Sequence, residues 1–364
     1  MVGFAGREPS AALRALAREG DLGGVILFDR NLGTLEELVA LVGALRALWP
    51  DSPPLIAVDQ EGGPVARLGP PFTPMPAARR LGQVGSADLA FRCGAVVGRE
   101  LRAAGLAMNL APVLDVDTNP ANPVIGPRAF GPDPDLVARL GGAVARGLEA
   151  AGIAAAGKHF PGHGDTSRDS HRELPRVAHD RARLAAVELH PFREAIRAGL
   201  PVVMTGHLLV PALDPDRPAT VSRAILTGLL RGELGFEGVV ISDDLEMRGI
   251  ADGWAVPDAA VEFLAAGGDL ALICADAEGQ RAAIGAVRRA IATGRLATSR
   301  IGESLARVGR LKARYVPREP PTLAEARRVI GCAEHRRVAE AVGTAGAGGQ
   351  GSAPGEERPV PRGG

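Results

Sequence analysis

Residues 158 to 171 read Lys-His-Phe-Pro-Gly-His-Gly-Asp-Thr-Ser-Arg-Asp-Ser-His and follow an apolar run. Three histidines, a lysine and two aspartates thus share one Gly/Pro-punctuated segment. Neither a helix nor a strand needs that composition for stability, and loops beyond a rigid strand are where catalytic residues gather. Within it, Asp169 and His171 stand two residues apart. A carboxylate bonded to one imidazole nitrogen fixes the tautomer and favours the protonated ring. Such a histidine can donate a proton near neutral pH and recover one in the reverse half of a two-step reaction. The competing reading is a turn capped by Asp169 with a solvated His171, because a bare Asp-x-His is common.

A second chemistry-bearing run is Val239-Val240-Ile241-Ser242-Asp243-Asp244-Leu245-Glu246-Met247, an apolar strand ending in adjacent aspartates. An aspartate at a strand end can act as a nucleophile and form an ester that water later cleaves. Neighbours on an extended chain point in opposite directions, so one of the two is expected in a pocket. Asp244 is read as a cap of the following helix. A third run, Ala57-Val58-Asp59-Gln60-Glu61-Gly62-Gly63, is followed by Arg67, and Arg128 lies in Gly126-Pro127-Arg128-Ala129-Phe130-Gly131. Carboxylates and arginine forks can hold the vicinal hydroxyls of a sugar, although each of these residues alone equally fits a loop ion pair. A metal centre built from His159, His163, Asp165, Asp169 and His171 has suitable ligand types. Its contiguity argues against it, since barrel metal ligands come from several strands.

The elements that must position these groups alternate along the chain. Apolar runs occur at 2–4, 24–28, 55–58, 107–110, 153–157, 201–205, 238–241 and 269–273. Amphipathic helical patterns cover 34–48, 86–104, 135–151, 181–198 and 280–293, the first opened by a Thr34 and Glu37 capping box. Eight strand and helix units in succession predict an α/β fold, a single-domain (β/α)8 TIM-type barrel over 1–321, with a doubly wound sheet as the alternative. Asp59, Lys158, His159, His207 and Asp243 fall at or beyond the C-terminal ends of different runs, the catalytic rim of such a barrel. No Gly-rich dinucleotide fingerprint follows the first run. A C-terminal helix over 322–342, opened by Thr322 and Glu325, is expected to pack on the barrel, and 343–364 to be a disordered tail.

Composition narrows the function classes. Hydrophobic residues make up 46% and charged residues 23%, enough apolar material for a large core. Forty-two basic residues balance forty-two acidic ones and aromatics are 3%, so nucleic acid and anionic membrane are not expected partners. Cys93, Cys274 and Cys332 are too few and too dispersed for a disulfide framework. The opening Met-Val-Gly-Phe-Ala-Gly-Arg has no signal-like pattern, and no run is long enough to span a membrane, so a cytoplasmic protein is expected.

Four motifs in this order resemble glycoside hydrolase family 3, in particular its single-domain β-N-acetylglucosaminidases of the NagZ type. They are Val-Asp-Gln-Glu-Gly-Gly at 58–63, Lys-His-Phe-Pro-Gly-His-Gly at 158–164, Asp-Ser-His at 169–171 and Ser-Asp-Asp-Leu-x-Met at 242–247. The resemblance runs from about Val2 to about residue 315. It implies a retaining β-N-acetylhexosaminidase in which Asp243 is the nucleophile, His171 the general acid/base and Asp169 its orienting partner. It also implies that Asp59, Arg67, Arg128, Lys158 and His159 bind the hydroxyls of a terminal sugar. The implied substrate is a non-reducing β-linked N-acetylglucosamine on an anhydromuramic acid unit of a peptidoglycan fragment, with or without peptide. No cofactor or metal is implied, and a monomer is expected. A neutral imidazole in place of a second carboxylate would tolerate an incoming anion, so phosphorolysis stands beside hydrolysis. The loop bearing His171 is expected to close over the substrate.

Overall fold

The computed structural model describes residues 1–20 and 22–345. Seven parallel strands form the central sheet in the order β1 (Gly24–Leu27), β2 (Leu55–Val58), β5 (Met108–Asn109), β6 (Ala154–Phe160), β7 (Val202–Thr205), β8 (Val239–Asp244) and β9 (Leu270–Leu272). A small antiparallel hairpin, β3 (Gln60–Gly62) with β4 (Val65–Ala66), interrupts the alternation after β2. The first expected strand, 2–4, is reduced to a single residue. Val2 bridges Val25 on one side and Ile273 on the other, which joins the sheet's two edges and closes the barrel.

The strands of the central sheet are buried on both faces over most of their length, which explains the nearly continuous apolar runs. Alternate residues sort cleanly between two packing layers. Ile26, Leu55, Ala57, Met108, Ala154, Ala156, Val202, Val239 and Leu270 fill the barrel interior together with Leu311 and Tyr315. Val25, Leu27, Ile56, Val58, Ala155, Val203 and Val240 face outward, against helical residues such as Leu38, Leu41 and Leu45. This is the period of two imposed by the pleat, with helices covering the outer surface.

The helices in chain order are α1 (Ala11–Glu19), α2 (Leu35–Ala47), α3 (Ala78–Val84), α4 (Ala87–Ala103), α5 (Pro134–Ala150), α6 (Arg181–Ala186), α7 (His190–Arg197), α8 (Arg248–Ala251), α9 (Val256–Ala266), α10 (Ala277–Ala292), α11 (Thr298–Tyr315), α12 (Leu323–Val329) and α13 (Ala333–Thr344), with a π-helix at Ala224–Glu233. The capping box of α2 is formed, with Thr34 Oγ1 accepting from the Glu37 N–H at 3.2 Å and Glu37 Oε2 accepting from the Thr34 N–H at 2.8 Å.

Two expected helices are broken. The 181–198 pattern splits into α6 and α7, because Pro191 suits the first turn of a helix and not its interior. The 322–342 pattern splits into α12 and α13 at Gly331, whose φ of 65° is left-handed. Both C-terminal helices are tied to α4 through the buried Glu100 carboxylate, which binds Thr73, the Gly331 N–H at 2.9 Å and His335 at 2.8 Å. Residues 343 and 344 end α13, in place of the expected start of a tail; from 346 onward that tail lies outside the described residues. Among the described residues no helix is long and apolar enough to cross a membrane.

Candidate active site

At the C-terminal rim, Asp59, Arg67, Arg128, Lys158, His159, His171 and Asp243 line one open pocket of about 360 Å³. Asp169 stands just behind it, bonded to His171. All eight residues singled out by type and spacing therefore converge, from the ends of β2, β6 and β8 and the loops that follow β3–β4, β5 and β6.

Two irregularities in strand pairing create the pocket's chemistry. Between β6 and β7 the register runs Gly157 to Val203 and then Phe160 to Thr205, so three steps on one strand oppose two on the other. Between β8 and β9 it runs Ile241 to Leu270 and then Asp244 to Leu272, again three against two. Such bulges re-aim side chains. They let sequence neighbours share a pocket: Lys158 with His159, and Asp243 with Asp244. The expectation that only one of the paired aspartates enters is thereby corrected. Asp244 is not a helix cap either: it belongs to β8, and its Oδ1 accepts from the Glu246 and Cys274 N–H groups, each at 3.2 Å.

Lys158 is buried, with Nζ 2.7 Å from Asp59 Oδ1 and 2.6 Å from Glu61 Oε1. Arg128 forks onto the same Glu61 carboxylate, Nε to Oε2 at 2.9 Å and Nη2 to Oε1 at 2.8 Å. Burial would raise the Glu61 carboxyl, but Lys158 and Arg128 outweigh it and hold it down to about 2. Glu61 is a residue that sequence reasoning passed over, although it lies two positions beyond Asp59 in the same motif. Arg67 reaches Asp29 at 3.2 Å and borders the pocket from the loop after β4.

His159 donates from Nδ1 to Asp115 Oδ2 at 2.6 Å, and its Nε2 faces Arg128 Nη2 at 3.4 Å. Burial, reinforced by Arg128 and Lys158, pushes its pKa well below the ordinary value, so the ring is neutral. Asp115 was missed entirely. It is fully buried, accepts the backbone N–H groups of His159 and His163 on Oδ1 at 3.1 and 2.7 Å, and is pushed up by burial. Its signal was an acid a few residues beyond a strand end, the same rule that found Asp59.

Asp243 ends the β8 bulge with Oδ1 accepting the Asp244 N–H at 2.9 Å. Burial alone would raise its pKa. The polar edges of His207 and His159, the Asp244 N–H and the Lys158 ammonium outweigh burial and hold it below its ordinary value, so Asp243 is ionised. His207, noted at a strand end, is fully buried; it bonds Thr220 at 2.8 Å and the Asp244 carbonyl oxygen at 2.9 Å, and burial lowers its pKa. Asp244 is pushed up to about 6, first by burial and then by Glu246 and Asp243.

The acid/base candidate is held differently. His171 Nδ1 lies 2.8 Å from Asp169 Oδ1, which also accepts the His171 N–H at 2.9 Å, while 63% of the His171 side-chain surface is exposed. Burial would raise Asp169, yet the His171 N–H and ring outweigh it and keep this carboxyl low. Between the two members, Ser170 anchors the loop: its hydroxyl lies 3.0 Å from His163 Nε2, and its carbonyl accepts the Gly249 N–H at 2.9 Å. The five residues weighed for a metal centre do not converge. His159 is committed to Asp115, His163 to Thr166 and Ser170, His171 to Asp169, and Asp165 to His179.

The arrangement supplies an ionised carboxylate at a strand end, a solvent-facing imidazole with a carboxylate partner, and a floor of paired charges suited to hydroxyl groups. Residues 1–311 match the glycosyl hydrolase family 3 N-terminal domain. Beta-hexosaminidase A of Pseudoalteromonas piscicida is 38% identical over 352 residues, covering 90% of this chain and 59% of that protein, so the chain spans under two thirds of that relative's length. A family 3 β-N-acetylglucosaminidase structure from Paenibacillus sp. str. FPU-7 superposes with a TM-score of 0.89 at 43% identity, covering 95% of this chain and 67% of that one. NagZ from Neisseria gonorrhoeae, in complex with N-trifluoroacetyl-D-glucosamine, gives a TM-score of 0.77 at 30% identity, covering 95% and 97%. The chain belongs to glycoside hydrolase family 3, in its β-N-acetylhexosaminidase branch.

Proposed function

We propose that this enzyme removes terminal non-reducing β-linked N-acetylglucosamine from peptidoglycan fragments, with retention at the anomeric carbon. The observation that carries the reading is an ionised Asp243 in the same pocket as the Asp169-bonded His171. In the first step Asp243 attacks C1 while His171 passes its proton to the glycosidic oxygen, and the aglycone leaves. Asp169 stabilises the imidazolium that gives up this proton and fixes the ring's orientation. In the second step His171 takes a proton from water, the oxygen attacks C1, and the ester to Asp243 breaks. Asp59, Arg67, Arg128, Lys158 and His159 bind the sugar's hydroxyls.

A pocket of this size suits one terminal sugar, and the scarcity of aromatics speaks against a long stacking groove. The NagZ complex with a glucosamine derivative supports the choice of sugar. An anhydromuramic acid aglycone follows from the resemblance to that type. Water is the proposed acceptor, because Lys158 and Arg128 already have carboxylate partners, which leaves them little charge for phosphate. Three unpaired cysteines suit a reducing compartment, so the cytoplasm is the proposed location and a monomer the proposed state.

The test is incubation with an aryl β-N-acetylglucosaminide, with and without phosphate, and identification of the sugar by mass. Free N-acetylglucosamine is expected in both; a sugar phosphate would make the enzyme a phosphorylase, and no release would overturn the glycosidase reading. Asp243→Asn should lower turnover roughly 10⁴-fold or more while sugar binding survives.

A further inference from the structure

Outside the sugar pocket, a second group of side chains has the composition of a cation site. One donor atom each from Asp165, His179 and Glu188 lies within 4.8 Å of the others. Asp165 follows the Pro161-Gly162-His163-Gly164 turn, His179 precedes α6, and Glu188 lies in the break between α6 and α7. The three therefore join both ends of the loop that carries Asp169 and His171.

Glu188 supplies the independent observation. Its side chain is 2% exposed, and while Oε1 accepts from Arg183 Nη2 at 3.1 Å, the buried Oε2 has no hydrogen-bond partner. A buried carboxylate oxygen left unpaired is destabilising, so such an oxygen calls for an occupant. Gly162 packs against the stem of the Glu188 side chain: a Cβ at that position would lie 2.8 Å from Glu188 Cβ, so the loop's turn holds Glu188 in place. Asp165 and His179 keep 22% and 29% of their side-chain surface exposed, which leaves a route from solvent. They are bonded to one another through Asp165 Oδ2 and His179 Nε2, the atoms a cation would take.

We propose that Asp165, His179 and Glu188 form a binding site for a divalent transition-metal ion of the zinc class, which staples the stem of the catalytic loop. Two carboxylates and one imidazole form a borderline donor set that suits Zn²⁺ better than Ca²⁺ or Mg²⁺, which want an all-oxygen shell. Water completes the shell on the exposed side. The ion exchanges the Asp165–His179 hydrogen bond for three metal bonds and gives the unpaired Glu188 oxygen a partner. It takes no part in the sugar chemistry, because Asp243 and His171 belong to a different pocket.

The test uses the full chain, stripped with chelator, dialysed and titrated with Zn²⁺ by calorimetry, with Co²⁺ absorption as a spectroscopic check. One equivalent of saturable binding is expected. Glu188→Gln and His179→Ala should each weaken it about 10–100-fold or more, while His171→Ala leaves it intact. Absence of saturable binding would overturn the proposal. So would binding that survives both Glu188→Gln and His179→Ala but is lost in His171→Ala, which would put the ion on the Asp169–His171 pair. Should either substitution impair folding, anomalous scattering at the zinc edge from wild-type crystals soaked in Zn²⁺ decides the matter. A peak between the three side chains supports the site, and its absence there rejects it.

Discussion

The molecule carries the same chemical pair twice at its rim. His159 with Asp115 and His171 with Asp169 are both imidazoles bonded through Nδ1 to a carboxylate, at 2.6 and 2.8 Å. Their surroundings differ. The first pair is buried, 7% and 0% exposed, and the second is open, 63% and 28% exposed. Burial makes His159 hard to protonate and pushes Asp115 up, whereas the exposed Asp169 is held low by His171 itself. An Asp–His hydrogen bond is therefore not in itself a proton-transfer device. The buried copy is a rigid strut that aims Nε2 toward Arg128, while the exposed copy has the access to solvent that the proposed acid/base role requires.

Breaking the exposed pair should produce the largest effect. His171→Ala is expected to lower kcat by about 10²–10⁴ on substrates with poor leaving groups, and far less on activated aryl glycosides. His159→Ala should cost both substrates equally. A kinetic series over leaving-group pKa checks this, and parallel slopes for the two variants would erase the distinction. Removal of the carboxylates comes next. Asp115→Ala leaves two backbone N–H groups and an imidazole without their buried acceptor, and a loss of about 3–5 kcal/mol is expected. Asp169→Ala should stay within about 0.5 kcal/mol of wild type in the same denaturation experiment and still slow turnover.

Titration sharpens the comparison further. His159 has its folded pKa depressed, so the unfolded chain takes its proton first. The stability tied to its neutral form is present above about pH 6.5, the ordinary histidine value, and is lost as pH falls below it. The melting-temperature deficit of His159→Gln should accordingly shrink between pH 7 and pH 5. Asp244 has the opposite sign. Its folded pKa of about 6 lies above the ordinary 3.8, so the stability tied to its protonated form is present below about pH 3.8 and is lost as pH rises to about 6. Asp244→Asn should gain relative to wild type as pH rises from 4 to 7. A calorimetric series on both variants is decisive: two deficits changing in the same direction would contradict the assigned environments. The smallest effect is expected from Arg67→Ala, where a partly exposed ion pair with Asp29 is lost, worth about 0–1 kcal/mol in stability, with a moderate rise in KM.

Much of this was legible in the chain because it is local. Strands buried on both faces read as apolar runs, polar residues beyond them mark the rim, and the Thr34 cap is a four-residue pattern. The Asp169–His171 pair could be read because its members are two positions apart. What failed was non-local or set by a neighbour. The 181–198 and 322–342 patterns kept their amphipathic rhythm across breaks that Pro191 and Gly331 impose. Asp115 and His159 are 44 positions apart, and no spacing rule links them.

The sequence by itself determined the alternation of strands and helices, the barrel and the eight residues that meet at its rim, since hydrophobic period and strand-end position are properties of short segments. Only the tertiary structure decided that Lys158 and His159, and likewise Asp243 and Asp244, share one pocket. The two bulges responsible exist only in the register against β7 and β9. The tertiary structure also separated the buried Asp–His pair from the open one, because desolvation depends on what the rest of the chain packs around a side chain.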